Sequence, residues 1–581
     1  MARTERPTVR RPVPTVGTGF PQARTGLPRP MPPPPDTPSP VPDTPRDPPH
    51  PQNAPPSQAA RPSLRASFDM LATALGATLV GLQAHLVRVE VEATRGPPFF
   101  ELVGLAEATV RESRVRVKSA LAQVGVDMSQ CRIVVNLAPA DVKKTGSGFD
   151  LAIAVATLGA LGSVPRAAMG GVLFVGELSL EGTVQPVRGV LPQLLGARTR
   201  RVKRAIVPRA NAAEAALVEG IDVRSAGSLG ELVEALRGGA ALPVAERAPE
   251  AASEVPFDDL TDVRGQAAAR RALEIAAAGN HNLLMIGPPG AGKTMLARRL
   301  PGLLPSLSTE EALEVTAVHS VAGLLATSRG LSRARPFRSP HHTVSDVGLV
   351  GGGTAPRPGE VSLAHHGVLF LDELAEFRRS ALEALRQPLE EGCVTISRAH
   401  ANVTFPASLL LVCAMNPCAC GWLGDGSGRC TCSRDRVRAY RSKMSGPLLD
   451  RIDVHVVLPP VEVRALQGPA RGEGSTEVRA RVERARAAQL GRARHGDVAA
   501  STNAALAPRD LERVAALCGE GARMLAAALE RLSLSARAYG KVLRVSRTIA
   551  DLDGSAEVRP SHVAEAITLR VLDRGPLAAA A

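Results

Sequence analysis

Gly287-Pro288-Pro289-Gly290-Ala291-Gly292-Lys293-Thr294 follows the apolar run Leu283-Leu284-Met285-Ile286 and leads into Met295-Leu296-Ala297-Arg298-Arg299-Leu300. A short continuous apolar run predicts a buried strand, and the residues behind the loop predict a helix. Glycines let backbone N–H groups turn inward around phosphates, Lys293 can reach the β/γ oxygens, and Thr294 offers a hydroxyl to Mg²⁺. The helix N-terminus adds partial positive charge at the same place. The stretch therefore predicts a nucleoside triphosphate site on a parallel α/β sheet.

Two more apolar runs extend this reading. Val368-Leu369-Phe370-Leu371 ends in Asp372-Glu373, and Leu409-Leu410-Leu411-Val412-Cys413-Ala414-Met415 ends in Asn416. Continuous apolar runs are what a parallel sheet covered on both faces requires. At a strand end beside the phosphate loop, Asp372 can hold the Mg²⁺ shell and Glu373 can polarise the attacking water. Asn416 can hydrogen-bond that water or the γ-phosphate. A guanidinium is also needed for charge developing on the transferred phosphoryl group. Arg451, in Leu448-Leu449-Asp450-Arg451, and Arg537, in Ser535-Ala536-Arg537, are the candidates. For Arg451 a plain surface pair with Asp450 or Asp453 is the alternative.

The chain of 581 residues exceeds one ordinary domain. Residues 1–69 hold about 20 of the 48 prolines and too little apolar content to offset ordering entropy. They read as a disordered tail or as sequence ahead of a true start at Met70. Residues 70–238 read as a compact α/β unit, 239–256 as a linker, and 257–461 as the nucleotide-binding core. Residues 462–575 read as an all-helical lid, and 576–581 as a short tail. The net charge of +14 rests almost entirely on arginine and favours a polyanionic partner. Aromatic residues are only 2%, against a base-stacking single-strand platform. With no long apolar span and no signal core, the chain reads as cytoplasmic and free of membrane.

Cys418-Ala419-Cys420 and Cys430-Thr431-Cys432 place four thiols on a Gly-rich loop. They can converge on Zn²⁺ or remain free thiols. Cys131, Cys393, Cys413 and Cys518 read as small core residues. Val394–Arg398 and Val403–Phe405 read as a β-hairpin with Arg398 and His400 near its tip, whereas Gly348–Gly353, with Arg357 beyond it, reads as a flexible loop. All three cationic side chains are candidates for sequence-independent contact with DNA phosphates, with an ordinary surface hairpin as the alternative.

In this order, the phosphate loop, Asp-Glu strand, Asn strand, Leu-Leu-Asp-Arg and Ser-Ala-Arg resemble the AAA+ ATPases of the magnesium-chelatase and MCM branch. Gly265-Gln266, Arg271–Gly279, Pro340-His341-His342 and Asn416-Pro417-Cys418-Ala419-Cys420 further resemble the bacterial YifB/ComM family of magnesium chelatase-like proteins. That resemblance spans nearly all of the chain after the proline tail. It implies ATP and Mg²⁺ as cofactors and a homo-oligomeric, hexameric ring with sites shared between subunits. Asp372, Glu373 and Asn416 would act in cis and Arg451 from the neighbour. It also implies single-stranded or branched DNA as partner, ComM-type members being implicated in branch migration during natural transformation, and pore-facing placement of the hairpin and the Gly348–Gly353 loop. Residues 70–238 resemble the Lon-protease C-terminal fold. Ser147 lies in the region matching the Lon serine, but the position matching the Lon lysine holds Leu191. A serine without a base is a poor nucleophile, so proteolysis is not expected. Metal-insertion or protein-remodelling work, as by the chelatase motor, is the alternative function.

Overall fold

The computed structural model describes residues 71–248, 257–325, 331–353, 356–398, 401–461, 467, 472–532 and 535–570. The first strands are β1 (Leu71–Val80), β2 (Gln83–Arg95), β3 (Phe99–Val103), β4 (Cys131–Ala138) and β5 (Val172–Phe174). A two-stranded ribbon, β6 (Glu177–Leu178) and β7 (Val184–Gln185), precedes β8 (Arg204–Pro208) and β9 (Asp222–Ala226). Seven of these form one mixed sheet in the order β3-β4-β2-β1-β5-β8-β9. The helix Asp150–Ala160 is apolar all round and every residue in it is buried, so it lies wholly within the domain core. Its first residue, Asp150, is held by Arg116 at 2.6 Å and by the Leu178 amide.

This domain reaches further than 238. The Ser225 amide donates to the Pro243 carbonyl at 3.0 Å, and the Ala245 amide donates to Val223 at 2.9 Å. Residues 243–245 thus extend the sheet edge at β9 instead of starting a linker, because Leu242 and Ala245 have apolar surface to bury.

The second sheet is built from β10 (Leu283–Ile286), β11 (Phe337–Arg338), β14 (Val368–Leu371), β17 (Leu410–Met415) and β18 (Val454–Val457), once β12 (Gly351–Gly352), β13 (Arg357–Pro358), β15 (Cys393–Arg398) and β16 (Ala401–Pro406) are counted in chain order. The order is β11-β14-β17-β10-β18 and all pairs are parallel. Every residue of β10, β14 and β17 is buried, as expected of strands covered on both faces. Burying each Leu or Ile side chain contributes roughly 1.5–3 kcal/mol.

The apolar core runs on from this sheet into the C-terminal helices Ser475–Arg494, Pro508–Val514, Gly519–Leu532, Ala536–Leu552 and Pro560–Thr568. A buried polar network crosses the same seam. His281 lies 3.1 Å from Asp453 and 2.8 Å from Thr548, and Lys541 lies 3.2 Å from Asp453. Burial alone would raise the Asp453 pKa, but Lys541 and His281 hold it well below the usual carboxylate range. The N-terminal domain docks on the helix Thr309–Ala322, where Leu191 and Leu194 join Ala312 and Val315 in one cluster. Half-buried Glu214 accepts from the Leu191 amide at 2.9 Å and from the Ser320 hydroxyl across that interface.

Gly348–Gly353 is not a free loop. Ser345 caps a short helix Asp346–Val350, and β12 then pairs with β13. Gly351 sits at φ 102°, and a Cβ there would lie 2.5 Å from the Arg357 carbonyl, so the glycines serve a tight ribbon. The β15–β16 hairpin is present with Arg398 opposite Ala401. Phe405 and Val403 are buried, and a Cβ on Gly81, in the β1–β2 turn, would meet Val403 at 2.7 Å. The hairpin base therefore packs on the N-terminal domain. The Arg398 side chain and His400 lie outside the described residues, and Arg357 is exposed.

Candidate ATP site

Strand register decides what meets at the carboxyl edge of the second sheet. Ile286 pairs with Met415 and Leu371 with Cys413, so the residues following β10, β14 and β17 emerge side by side. Open parallel sheets bind ligands at this edge. Gly290 at φ 79° and Gly292 at φ 88° turn the loop into the helix Lys293–Leu303. Gly287 must lack a Cβ, which would lie 2.8 Å from the Leu458 carbonyl. Gln266, in the left-handed region, donates to the Ala291 carbonyl at 3.2 Å and the Pro459 carbonyl at 2.7 Å, tying the loop to the exit of β18.

Lys293 donates to the carbonyls of Gly287 at 2.7 Å and Pro288 at 3.0 Å, and to Asn416 Oδ1 at 3.1 Å. Burial lowers its pKa, against the pull of Asp372 and Glu373. Thr294 Oγ1 donates to Asp372 Oδ2 at 2.6 Å. A hydroxyl and a carboxylate in contact at the foot of a phosphate loop are oxygen donors suited to the octahedral shell of Mg²⁺. The residues predicted for the loop, Gly287, Pro288, Pro289, Gly290, Ala291, Gly292, Lys293 and Thr294, thus share one site with Asp372 and Asn416.

Glu373 stands at φ 52° with its side chain 55% exposed, and its carboxylate lies 3.2 Å from His342 Nδ1. His342 in turn lies against the His341 ring, tilted at 34° with centroids 4.1 Å apart, and meets Phe377 edge-on. Neither His342 nor Gln266 was assigned a site role from the sequence. The Pro340-His341-His342 run just after β11 was the available signal.

Arg451 lies elsewhere. Asn282, immediately before β10, donates to the Arg451 carbonyl at 2.8 Å, so the Arg451 backbone sits at the amino edge of the sheet. The phosphate loop leaves the carboxyl edge, roughly 13 Å away across a four-residue strand. The Arg451 guanidinium pairs with Glu390 and the Pro447 carbonyl, not with Asp450 or Asp453. Asp450 instead pairs with Arg537 at 3.3 Å, and the Arg537 side chain is 74% exposed. Both arginines share one edge of the chain, apart from its own phosphate loop.

The four thiols converge. Sγ of Cys418 lies 3.3 Å from Cys420 and 3.8 Å from Cys430, Cys420 lies 3.6 Å from Cys430, and all four Sγ atoms lie within 4.8 Å of one another. Tetrahedral zinc thiolate at about 2.3 Å requires sulfurs about 3.8 Å apart, so the donor set fits that metal. Of the other cysteines, Cys131 and Cys413 are buried and Cys393 is half-buried, but Cys518 is exposed and is not a core residue.

A second cluster joins Glu314 to His365 at 3.1 Å and His366 at 2.9 Å. The Ser408 amide donates to His365 Nδ1 at 3.1 Å, which leaves the proton of the neutral ring on Nε2, facing Glu314. That tautomer offers no lone pair to a metal. Burial lowers the His365 pKa to about 4, below the ordinary His value of about 6.5. The unfolded chain therefore takes up this proton first, and the stability it contributes at neutral pH is lost as pH falls from about 6.5 towards 4. Thermal melts across that range should show a falling midpoint, with a shallower fall in His365→Asn.

Fold and site together define a P-loop ATPase of the AAA+ class, carrying a Lon-like N-terminal domain and a helical lid. Comparisons with known proteins agree along the chain. "Magnesium chelatase, subunit ChlI" matches residues 259–466, "Subunit ChlI of Mg-chelatase" 89–211, and the ChlI C-terminal description 472–570. The chain is 44% identical to competence protein ComM of Haemophilus influenzae over 501 residues, 85% of this chain and 96% of that protein. It is 41% identical to YifB of Escherichia coli K12 over 497 residues, 85% of this chain and 96% of that protein. Lon protease of Mycolicibacterium smegmatis is 26% identical over 173 residues, 28% of this chain and 22% of that protein. The chain belongs to the ComM/YifB family of magnesium chelatase-like AAA+ ATPases. Among the described residues no helix is long and apolar enough to cross a membrane.

Proposed function

We propose that this chain is the subunit of a cytoplasmic, hexameric, Mg-ATP-driven motor that moves single-stranded or branched DNA. The observation that carries the motor is the meeting of Lys293, Thr294, Asp372 and Asn416 at adjacent strand ends. In this reading Lys293 turns from the loop carbonyls to the β/γ oxygens, and Thr294 with Asp372 holds Mg²⁺. Glu373 swings from His342 to orient water against the γ-phosphate, with Asn416 as its second anchor. Arg451, carried on the edge away from its own loop, serves the neighbouring subunit's site, with Arg537 beside it. Mg²⁺ held by Thr294 and Asp372 would neutralise charge on the phosphates, and the neighbour's Arg451 adds a guanidinium to the transferred phosphoryl group.

DNA as the track is supported by the competence protein among the relatives and by the arginine excess. It is also supported by exposed Arg357 on the ribbon next to the β15–β16 hairpin, in whose sequence Arg398 and His400 stand. Such contacts are to phosphates and carry no sequence preference. Arg357→Ala and Arg398→Ala should weaken DNA binding equally across sequences and flatten its salt dependence by about one phosphate contact each. Equilibrium binding of fluorescent oligonucleotides at several salt concentrations measures this, and an unchanged slope in both variants removes these residues from the track.

The chelatase descriptions support a second reading, metal-insertion or protein-remodelling work. Proteolysis is disfavoured. Leu191, at the position that the resemblance matches to the Lon lysine, is buried, and buried Lys144 donates to the Pro139 carbonyl, with no hydrogen bond to Ser147 among the described residues.

A further inference from the structure

The loop from Asn416 to Ser433 has few apolar residues of its own to bury, yet it is folded against the ATP site. Cys418 is fully buried two residues after Asn416, whose side chain receives Lys293. Gly421, at φ 87°, lies under the phosphate loop so closely that a Cβ there would sit 2.8 Å from Pro289 Cδ. On the far side of the cluster, Ser433 caps the helix Arg434–Arg441, and Arg441 from that helix donates back to the Pro417 carbonyl at 3.3 Å. The only tryptophan of the chain, Trp422, stands in this loop with the Arg429 guanidinium 3.7 Å from its ring centroid. With only Pro417, Ala419, Trp422 and Leu423 as apolar residues beside its cysteines, the segment has few hydrophobic contacts to hold such a shape, and small elements of this kind are stapled by metals or disulfides. The thiols are all free, and the sulfur spacing suits a tetrahedral metal rather than a bond between two of them.

We propose that Cys418, Cys420, Cys430 and Cys432 hold one zinc ion whose role is to position Asn416 and the Pro289 side of the phosphate loop, making ATP turnover zinc-dependent. The proposal rests on the Mg-ATP reading above for its turnover arm only. These cysteines are positioning residues and touch no nucleotide. Metal binding would convert the four thiols to thiolates with release of their protons, and removal by a chelator would reverse that balance without oxidation.

The test uses the full chain, purified under reducing conditions without chelator. Elemental analysis should find close to one zinc per chain, and less than about a tenth of that in a Cys430→Ser, Cys432→Ser double variant. Removing zinc with a strong chelator should shift Trp422 fluorescence while far-UV circular dichroism stays constant. It should also lower kcat by at least about tenfold and weaken binding of a fluorescent ATP analogue, and added zinc should restore both. Reduced, titratable thiols with no zinc would overturn the metal assignment. Zinc whose removal changes Trp422 but neither nucleotide affinity nor kcat would overturn the positioning role. Should no form of the protein hydrolyse ATP, the Mg-ATP reading fails on its own, while zinc content, Trp422 and analogue affinity still decide this proposal.

Discussion

Glu373→Gln protein should bind Mg-ATP with affinity close to the parent's and hydrolyse it at least ~10²-fold more slowly, the usual worth of a positioned general base. The change keeps size and hydrogen-bonding capacity, and Glu373 is half-exposed at a strand end, so stability should hardly move. A circular-dichroism melt run beside the turnover assay separates the two effects. Retained turnover would remove Glu373 from the water-activating role and leave His342, its 3.2 Å partner, to be examined in its place.

Arg451→Ala should cost still more, on the order of 10³-fold, because it removes the guanidinium that meets charge on the transferred phosphoryl group. Its placement makes a sharper demand than rate alone. Arg451 sits at the opposite sheet edge from its own phosphate loop, so each deficient subunit should fail at its neighbour's site. Mixing Arg451→Ala with Glu373→Gln subunits should therefore regenerate some sites with an intact Glu373 from one chain and an intact Arg451 from the other. Turnover in the mixture should exceed that of either variant alone. A mixture no better than its parts, with exchange verified by labelled subunits, would place Arg451 in a structural pair with Glu390 only.

Much of the site was legible because buried parallel strands announce themselves as continuous apolar runs. Leu283–Ile286, Val368–Leu371 and Leu410–Met415 stand next to one another, and their trailing residues form the site. What the sequence could not show was short, glycine-rich or dependent on folding. β11 is two residues long, too brief for any periodic signal, yet it delivers His342 to Glu373. The Gly351–Gly352 strand looks like a loop in the sequence because glycine runs carry no side-chain pattern, although close backbone approach is what those glycines permit. Residues 243–245 looked like linker because their pairing partner, β9, is more than fifteen residues upstream. Arg451 was identified by motif, but its pairing with Glu390 and its distance from the loop depend on how the strands are ordered.

The most direct test is ATP hydrolysis by the purified protein, alone and with single-stranded or forked DNA, at low and moderate salt. Stimulation by DNA that fades as salt rises and vanishes in Glu373→Gln is the expected result. Turnover indifferent to every DNA at either salt would contradict a DNA motor and favour a partner protein as the substrate.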